Sequence, residues 1–271
     1  MIRLTEEITP AFADFCRRDF FGLRILGWAK RQLPSCFVSS FYSQYNAADN
    51  ITAVMQITQE GSGYISASGD ADWEELVLYL GLFRSIQLQC APDVEERLCA
   101  GGRTAAAGRN RNAVPLPRDY CLMRWPAGGI PRNAGEKSVR NADAAAVYRL
   151  LKAAGADWIT DGQEWTENLA KEIRHGEAEC FFAQKDGKEA AVCCVLARYE
   201  GFAYLGNVGS LPEVRGTGIA GALVGGIAAA ESSKGHTVYL TCKKHNMRFY
   251  EKSGFVTEML YGGITQPEEA E

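Results

Sequence analysis

The amino-acid sequence predicts two α/β domains, each a mixed, mostly antiparallel sheet flanked by helices. Three observations lead there. The second half alternates helical and strand patterns in the order ααβββαβαβ, and the first half runs through a weaker copy of that order. With 271 residues, the chain fits one large domain or two ordinary ones at roughly 100–200 residues each. Hydrophobic residues at 46% and charged residues at 23% supply enough apolar side chains for packed cores.

In chain order, a helical N-terminal segment precedes strands at Phe37–Tyr45, Ile51–Gln59 and Gly63–Ala67. A helix around Trp73–Phe83, a strand at Ser85–Gln89 and a short helix at Pro92–Cys99 complete the first copy. Residues 101–118 are rich in Gly, Ala, Arg and Pro and read as a connector, so the domains are expected at 1–125 and 126–271. Beyond it, Asn141 and Asp143 precede an apolar stripe of Val147, Leu150, Leu151 and Ala154 at helical spacing, stopped by Gly155. A second helix carries Trp165, Leu169 and Ile173 four apart. Strands Glu179–Gln184 and Ala190–Ala197 flank Asp186-Gly187, a strong hairpin signal. Glu200-Gly201 leads to a third strand, Phe202–Val208. A glycine-rich turn then opens a buried helix around Gly218–Ser233, before strand Thr237–Thr241, helix Asn246–Lys252 and a last strand from Phe255. An antiparallel meander feeding a parallel crossover is the expected topology.

Composition excludes several classes of function. A net charge of −4 gives no general pull toward nucleic acid or anionic membrane. The opening MIRLTEEITP carries charges where a signal peptide needs an apolar run. The longest apolar run, Ile219–Ala230, falls short of the ~20 residues of a membrane span. Nine cysteines without a C-x-x-C pair, mostly in apolar strand patterns, suit free buried thiols in a reducing cytoplasm. His175, His236 and His245 are scattered, so no metal is expected.

Two segments carry chemistry. The first, Val208–Ala220, passes from a strand through a turn into a helix. Its glycines allow close backbone approach, and the helix start offers free N–H groups and a positive dipole end. Arg215 adds a cation, and the whole suits a pyrophosphate. Tight packing of the helix explains the glycines equally well, since small residues continue through Gly221, Ala222, Gly225 and Gly226. Gly216–Gly221 also spells G-x-G-x-x-G, but Leu211–Arg215 separate it from the strand and the next strand ends in Leu240-Thr241-Cys242, without the acidic residue of a dinucleotide site. In the second segment, residues 240–255, Asn246 and Tyr250 share one helical face and Gly254 caps the helix.

Taken together, the two segments resemble the GNAT acetyltransferase superfamily over roughly residues 136–264. Arg215-Gly216-Thr217-Gly218-Ile219-Ala220 is similar to its acetyl-CoA signature, Arg/Gln-x-x-Gly-x-Gly/Ala, and Phe249–Phe255 to its later Tyr-bearing helix and following strand. The spacing from Cys242 to Phe255 is similar to that of glucosamine-phosphate acetyltransferases. The first half resembles the fold weakly, with Ser68-Gly69-Asp70-Ala71-Asp72 where the signature belongs, which implies a degenerate, non-catalytic repeat.

The resemblance implies a cytoplasmic N-acetyltransferase that moves acetyl from acetyl-CoA directly to a primary amine of a small molecule (amino sugar, amino acid or polyamine). It implies that Arg215, Gly216, Thr217, Gly218, Ile219 and Ala220 hold the pyrophosphate. Val208, Gly209 and Ser210 would pair with the pantetheine arm, with Asn246 beside it and Tyr250 acting on the departing thiolate. Lys243, Lys244 and Arg248 would meet the ribose phosphate or simply be solvated. A non-catalytic acyl-CoA-binding module and transfer of a longer acyl group are the other readings. For the base, Glu213, Glu200, Asp161, Glu164, Tyr204 and Asn207 are candidates, each more readily explained as structural. The first half would wall the acceptor pocket or form a homodimer contact.

Overall fold

The computed structural model describes residues 1–33, 39–83, 85–105, 113–130, 139–141 and 143–266. Phe37 and Val38, expected to start a strand, lie outside them, as do Cys36 and residues 106–112 of the expected connector. The chain divides into two compact units, residues 1–119 with 260–271, and residues 120–259.

The first unit contains β1 (Ile2–Leu4), α1 (Pro10–Cys16), α2 (Phe20–Gln32), β2 (Ser39–Tyr45), β3 (Ile51–Thr58) and β4 (Ser62–Ala67). It continues with α3 (Trp73–Leu80), β5 (Ile86–Gln89), α4 (Pro92–Ala105) and the start of β6 (Val114–Arg124). Strands β1 to β4 pair antiparallel in sequence order, and β4 pairs parallel with β5 across the α3 crossover. Alternation along β3 explains how both sheet faces are covered. Met55 and Ile57 pack with Leu76, Leu80 and Leu98, whereas Val54 packs with Phe12, Ile25 and Leu26.

The second unit takes the end of β6, then β7 (Val139–Asn141), α5 (Ala144–Ala153), α6 (Gly162–Arg174), β8 (Glu179–Lys185), β9 (Lys188–Tyr199) and β10 (Phe202–Ser210). It ends with α7 (Ile219–Ser233), β11 (Thr237–Lys243), α8 (Met247–Ser253) and the start of β12 (Val256–Gln266). Its strand order is β6-β11-β10-β9-β8-β7, with β10–β11 the parallel pair. Both expected hairpins form. Asp186 and Gly187 have φ of 53° and 76°, and Glu200 and Gly201 52° and 71°, the paired positive values of a two-residue hairpin turn. Val147, Leu150 and Leu151 of α5 pack on Phe182, Val192 and Cys194 of the sheet.

Two strands depart from the expected organisation, and both reasons are hydrogen-bond ladders. Tyr120–Arg124 of β6 pairs antiparallel with Lys243–Tyr239 of β11, so these residues fold with the second unit although the sequence places them before residue 126. Ile264–Gln266 of β12 pairs with Leu88–Ile86 of β5, so these residues join the first unit. Neither ladder leaves a mark in local periodicity, because pairing partners lie more than 100 residues away.

Candidate functional site

The site grows from a strand that loses its neighbour. Phe202–Leu205 of β10 pairs with Thr237–Leu240 of β11, and there the parallel ladder ends. Beyond that point β11 keeps its bonds to β6, and β10 keeps its bonds to β9. The β9–β10 register jumps between Gly206, opposite Cys194, and Gly209, opposite Val192. This bulge is built on Asn207, whose φ of 50° is unusual for a residue with a side chain. Val208, Gly209 and Ser210 therefore present one backbone edge to β9 and leave the other without β11 as a partner, opening a wedge between β10 and β11.

At the open end of the wedge lies the start of α7. Leu211 leads through a short turn, Pro212–Val214, to Gly216 and Gly218, with φ of 79° and 89°. Glycine adopts these left-handed angles at no steric cost. Gly218 is the N-cap of α7, and no side chain accepts from the helix. The backbone N–H of Arg215 and of Thr217 bond to Pro212 and Val214, whereas those of Gly216, Gly218, Ile219, Ala220 and Gly221 find no carbonyl partner among the described residues. Five unbonded donors at the positive end of a 15-residue helix suit an anion. Gly221 has a second use, because a Cβ there would stand 3.1 Å from Ser253 Oγ of α8. Close packing and anion binding thus draw on the same run of small residues.

Arg215 sits on the rim of this turn with its guanidinium turned toward α5. Its Nη2 donates to the carbonyl oxygen of Ala154 at 2.8 Å, at the negative end of α5. The side chain thereby ties the turn to α5. The same helix end rests on Gly209, where a Cβ would meet Leu151 Cδ2 at 2.9 Å and Ala154 Cβ at 3.3 Å.

The other wall of the wedge comes from α8. Asn246 is exposed at its start, and Tyr250 is 8% exposed, one turn further on. The ring of Tyr250 packs edge-on to Phe249 and Phe255. Burial, aided by the nearby Cys193, Cys242 and Tyr204, pushes its hydroxyl well above the usual phenol range. Tyr250 is therefore a protonated donor at neutral pH, and no hydrogen bond occupies its hydroxyl among the described residues. Nearby, the Tyr204 and Thr241 hydroxyls bond each other across the two strands at 2.7 Å. Burial raises the Cys242 thiol to about 12, so it is inert as a nucleophile.

The sequence-predicted residues thus fall into one neighbourhood on β10, α7 and α8, with Asn246 exposed at its edge. Lys243 is held over the Tyr120 ring at 4.4 Å from its centroid, a partner the sequence does not reveal. Asp161 caps α6 by accepting from the Glu164 N–H at 2.9 Å, and Glu213 is exposed. Among the described residues no group of three or more His, Cys, Asp and Glu is placed to hold a metal ion. No helix of the described residues is long and apolar enough to cross a membrane. Sequence reasoning missed the bulge at Asn207, whose only signal is a Gly-Asn-Val-Gly stretch inside a strand. It also missed the exposed Trp158 between the two helices.

The corresponding place in the first unit is closed. There α3 is capped by Asp72, whose carboxylate accepts from the Glu75 N–H at 3.0 Å, and Glu74 and Glu75 crowd the first turn. Gln44 clamps Asp72 from both sides of its backbone, at 2.8 and 3.0 Å. An internal carboxylate thus takes one of the first-turn donors of α3, whereas no side chain caps α7.

A parallel strand pair that parts beside an uncapped glycine-rich helix start has the shape and the free donors that suit an anionic, extended ligand. Residues 176–257, within the second unit, match the family model described as acetyltransferase (GNAT) domain. A GCN5-related N-acetyltransferase from Sphaerobacter thermophilus superposes with a TM-score of 0.68 at 14% identity, covering 98% of this chain and 95% of that one. A GNAT-family acetyltransferase from Colwellia psychrerythraea gives 0.64 at 14% identity, covering 98% of each chain. A tandem GNAT protein from the clavulanic acid biosynthesis pathway gives 0.58 at 11% identity, covering 98% of this chain and 97% of that one. The whole chain therefore has the tandem GNAT fold. No protein of curated function matches it in sequence.

Proposed function

We propose that this protein is a cytoplasmic N-acetyltransferase, moving an acetyl group from acetyl-CoA to a primary amine of a small molecule. The observation that carries this reading is the pairing of an unbonded strand edge at Val208–Ser210 with the uncapped start of α7. Gly216, Gly218, Ile219 and Ala220 would hold the pyrophosphate through their free N–H groups, with Thr217 shaping the turn through its hydroxyl bond to Val214. Arg215 would act by locking that turn to α5. Val208, Gly209 and Ser210 would pair with the pantetheine arm, and Asn246 lies at its edge. Acetyl-CoA supplies the activated thioester that an amine can attack. A main-chain N–H of the β10 edge would stabilise the charge that develops on the carbonyl oxygen, a role typically worth a few kcal/mol. Tyr250, kept protonated by burial, is the donor for the departing sulfur. The attacking amine must arrive neutral or lose its proton to water.

Thermal-shift titration with acetyl-CoA, desulfo-CoA and NAD tests this. Saturation at 100 times Kd contributes about 2.7 kcal/mol and should raise the melting temperature by several degrees. A shift with acetyl-CoA and not with NAD supports the reading, and amine screening by release of free CoA thiol then follows. No shift in ligand-free protein overturns it. Binding without turnover on any amine would leave an acyl-CoA-binding module.

A further inference from the structure

We infer that Cys180 and Cys194 close a reversible disulfide under peroxide, and that closing it loosens the Asn207 bulge and weakens acetyl-CoA binding; the second half rests on the acetyltransferase reading. The two residues stand directly opposite each other on β8 and β9. Their sulfurs are 2.9 Å apart, with Cys194 donating its S–H to Cys180. Opposite residues of an antiparallel pair have Cα atoms about 4.5–5.5 Å apart, a span that a disulfide bridges without moving the backbone. Alternation along β9 sends the neighbouring Cys193 to the other face, where it approaches Tyr250. Cys180 and Cys194 are both buried, in the cluster they form with Val147, Leu150 and Leu151 of α5.

Strand order ties the pair to the site. Because β9 lies between β8 and β10, Cys194 has Cys180 on one side and the bulge on the other. Gly206 is opposite Cys194, and the Asn207 side chain hydrogen-bonds the Cys194 sulfur. Asn207, at positive φ, is the residue on which the bulge before Val208–Ser210 is built. A disulfide needs about 2.05 Å between its sulfurs, so closure draws the Cys194 sulfur toward β8 and away from Asn207.

The direction of the sulfur bond sets the order of reaction. A hydrogen bond received by Cys180 favours its thiolate. Cys180 is also one strand in from β7, a three-residue edge strand whose Asn141 pairs with it. So short a ladder opens locally, and a molecule as small as peroxide then reaches the sulfur. The Cys180 thiolate attacks a peroxide oxygen, the O–O bond breaks, and the hydroxide released takes up the thiol's proton as water. Burial and Cys180 raise the Cys194 thiol, so it is still protonated when the sulfenic acid forms. Its sulfur attacks the sulfenic sulfur, the S–O bond breaks, and a second water leaves with the Cys194 proton. Two thiols and one peroxide thus give one disulfide and two waters. A dithiol reverses the step by exchange. In reducing compartments, disulfides are of this transient, sensing kind.

Hydrogen peroxide titration of the full chain, reduced beforehand, tests both halves. Peptide mapping without reductant should show a link between Cys180 and Cys194, and the intact mass should fall by the two hydrogens lost. The link closes a loop of about 15 residues, so the melting temperature should rise by several degrees and return with dithiothreitol. Calorimetry should give an acetyl-CoA Kd about fivefold weaker in the oxidised chain, the size of one lost hydrogen bond. Cys180→Ser should bind acetyl-CoA like the reduced parent and keep that Kd under peroxide; where serine at this buried site impairs folding, Cys180→Ala serves instead. Asn207→Gly, which keeps the positive φ, should form the disulfide with no change in Kd on oxidation. Thiols at 180 and 194 that survive peroxide, a link between other cysteines in their place, or a mapped link with an unchanged Kd in the parent would each overturn the inference. A reduced chain that binds no acetyl-CoA overturns the acetyltransferase reading and this regulation with it, whereas a reduced chain that binds and an oxidised one that binds equally removes only this inference.

Discussion

Gly209→Ala probes the contact that sets α5 against the unbonded strand edge. The added methyl would stand 2.9 Å from Leu151 Cδ2 and 3.3 Å from Ala154 Cβ, where carbon atoms prefer about 3.5–4.0 Å. Relief is restricted, because Leu151 is 2% exposed and Ala154 is fixed by the bond from Arg215. Overpacking of this size costs about 1–3 kcal/mol, offset by about 0.5–1 kcal/mol from replacing glycine within a strand. The net loss of about 1–2 kcal/mol should lower the melting temperature by roughly 2–8 °C. Because the strain falls on the strand edge itself, acetyl-CoA affinity measured by calorimetry should fall as well. Leu151→Ala alone empties a buried site and should cost about 2–5 kcal/mol. In the double variant the methyl at 209 occupies part of that space, so the two losses should sum to less than their separate total by about 1 kcal/mol or more. Strict additivity, or a Gly209→Ala variant as stable and as tight-binding as the parent, would refute the idea that Leu151 and Gly209 set the wedge.

Three further perturbations separate chemistry from architecture. Tyr250→Phe should lower kcat about a hundredfold with acetyl-CoA Kd unchanged, and stability should hold, since the lost hydroxyl has no partner among the described residues; full turnover would remove the acid role. Gly216→Ala meets no atom within 4 Å, so its cost is the backbone strain of φ 79°, about 1–2 kcal/mol, read as a melting temperature lower by roughly 2–8 °C, whereas Gly69→Ala in the first unit, also in open space, should change nothing. Glu231, 1% exposed on α7, is pushed up by burial, but Arg198, Lys234 and His236 outweigh that and hold it at about 2 rather than 4.5. That depression stabilises the fold by about 3 kcal/mol at pH above 4.5, and the contribution is lost as pH falls through 2. Urea unfolding of Glu231→Gln should therefore trail the parent by that amount at pH 7 and converge with it near pH 2, and a gap independent of pH would refute the assignment.

How much of this could be read from the residues alone follows from the range of each interaction. The hairpins at Asp186-Gly187 and Glu200-Gly201 were legible because a turn type needing two positive φ angles selects its residues locally. The α7 start was legible for the same reason, with Gly216 and Gly218 both in left-handed angles. Tyr250 was expected to share a helical face with Asn246, but Asn246 stands exposed before α8 while Tyr250 is buried beside Cys193, a residue 57 positions earlier whose nearness nothing local foretold. The bond of Arg215 to the end of α5 was not legible, because its partner Ala154 stands 61 residues away. The wedge itself was invisible, since it arises from what β11 does not do after Leu240. The acidity of residues 68–72 implied a first unit unfit for phosphate, and the structure gives the cause as a bond: Asp72 caps α3 with its own carboxylate. One topology thus occurs twice, and a single cap residue, aspartate in one unit and glycine in the other, separates the helix that satisfies itself from the helix left open to a ligand.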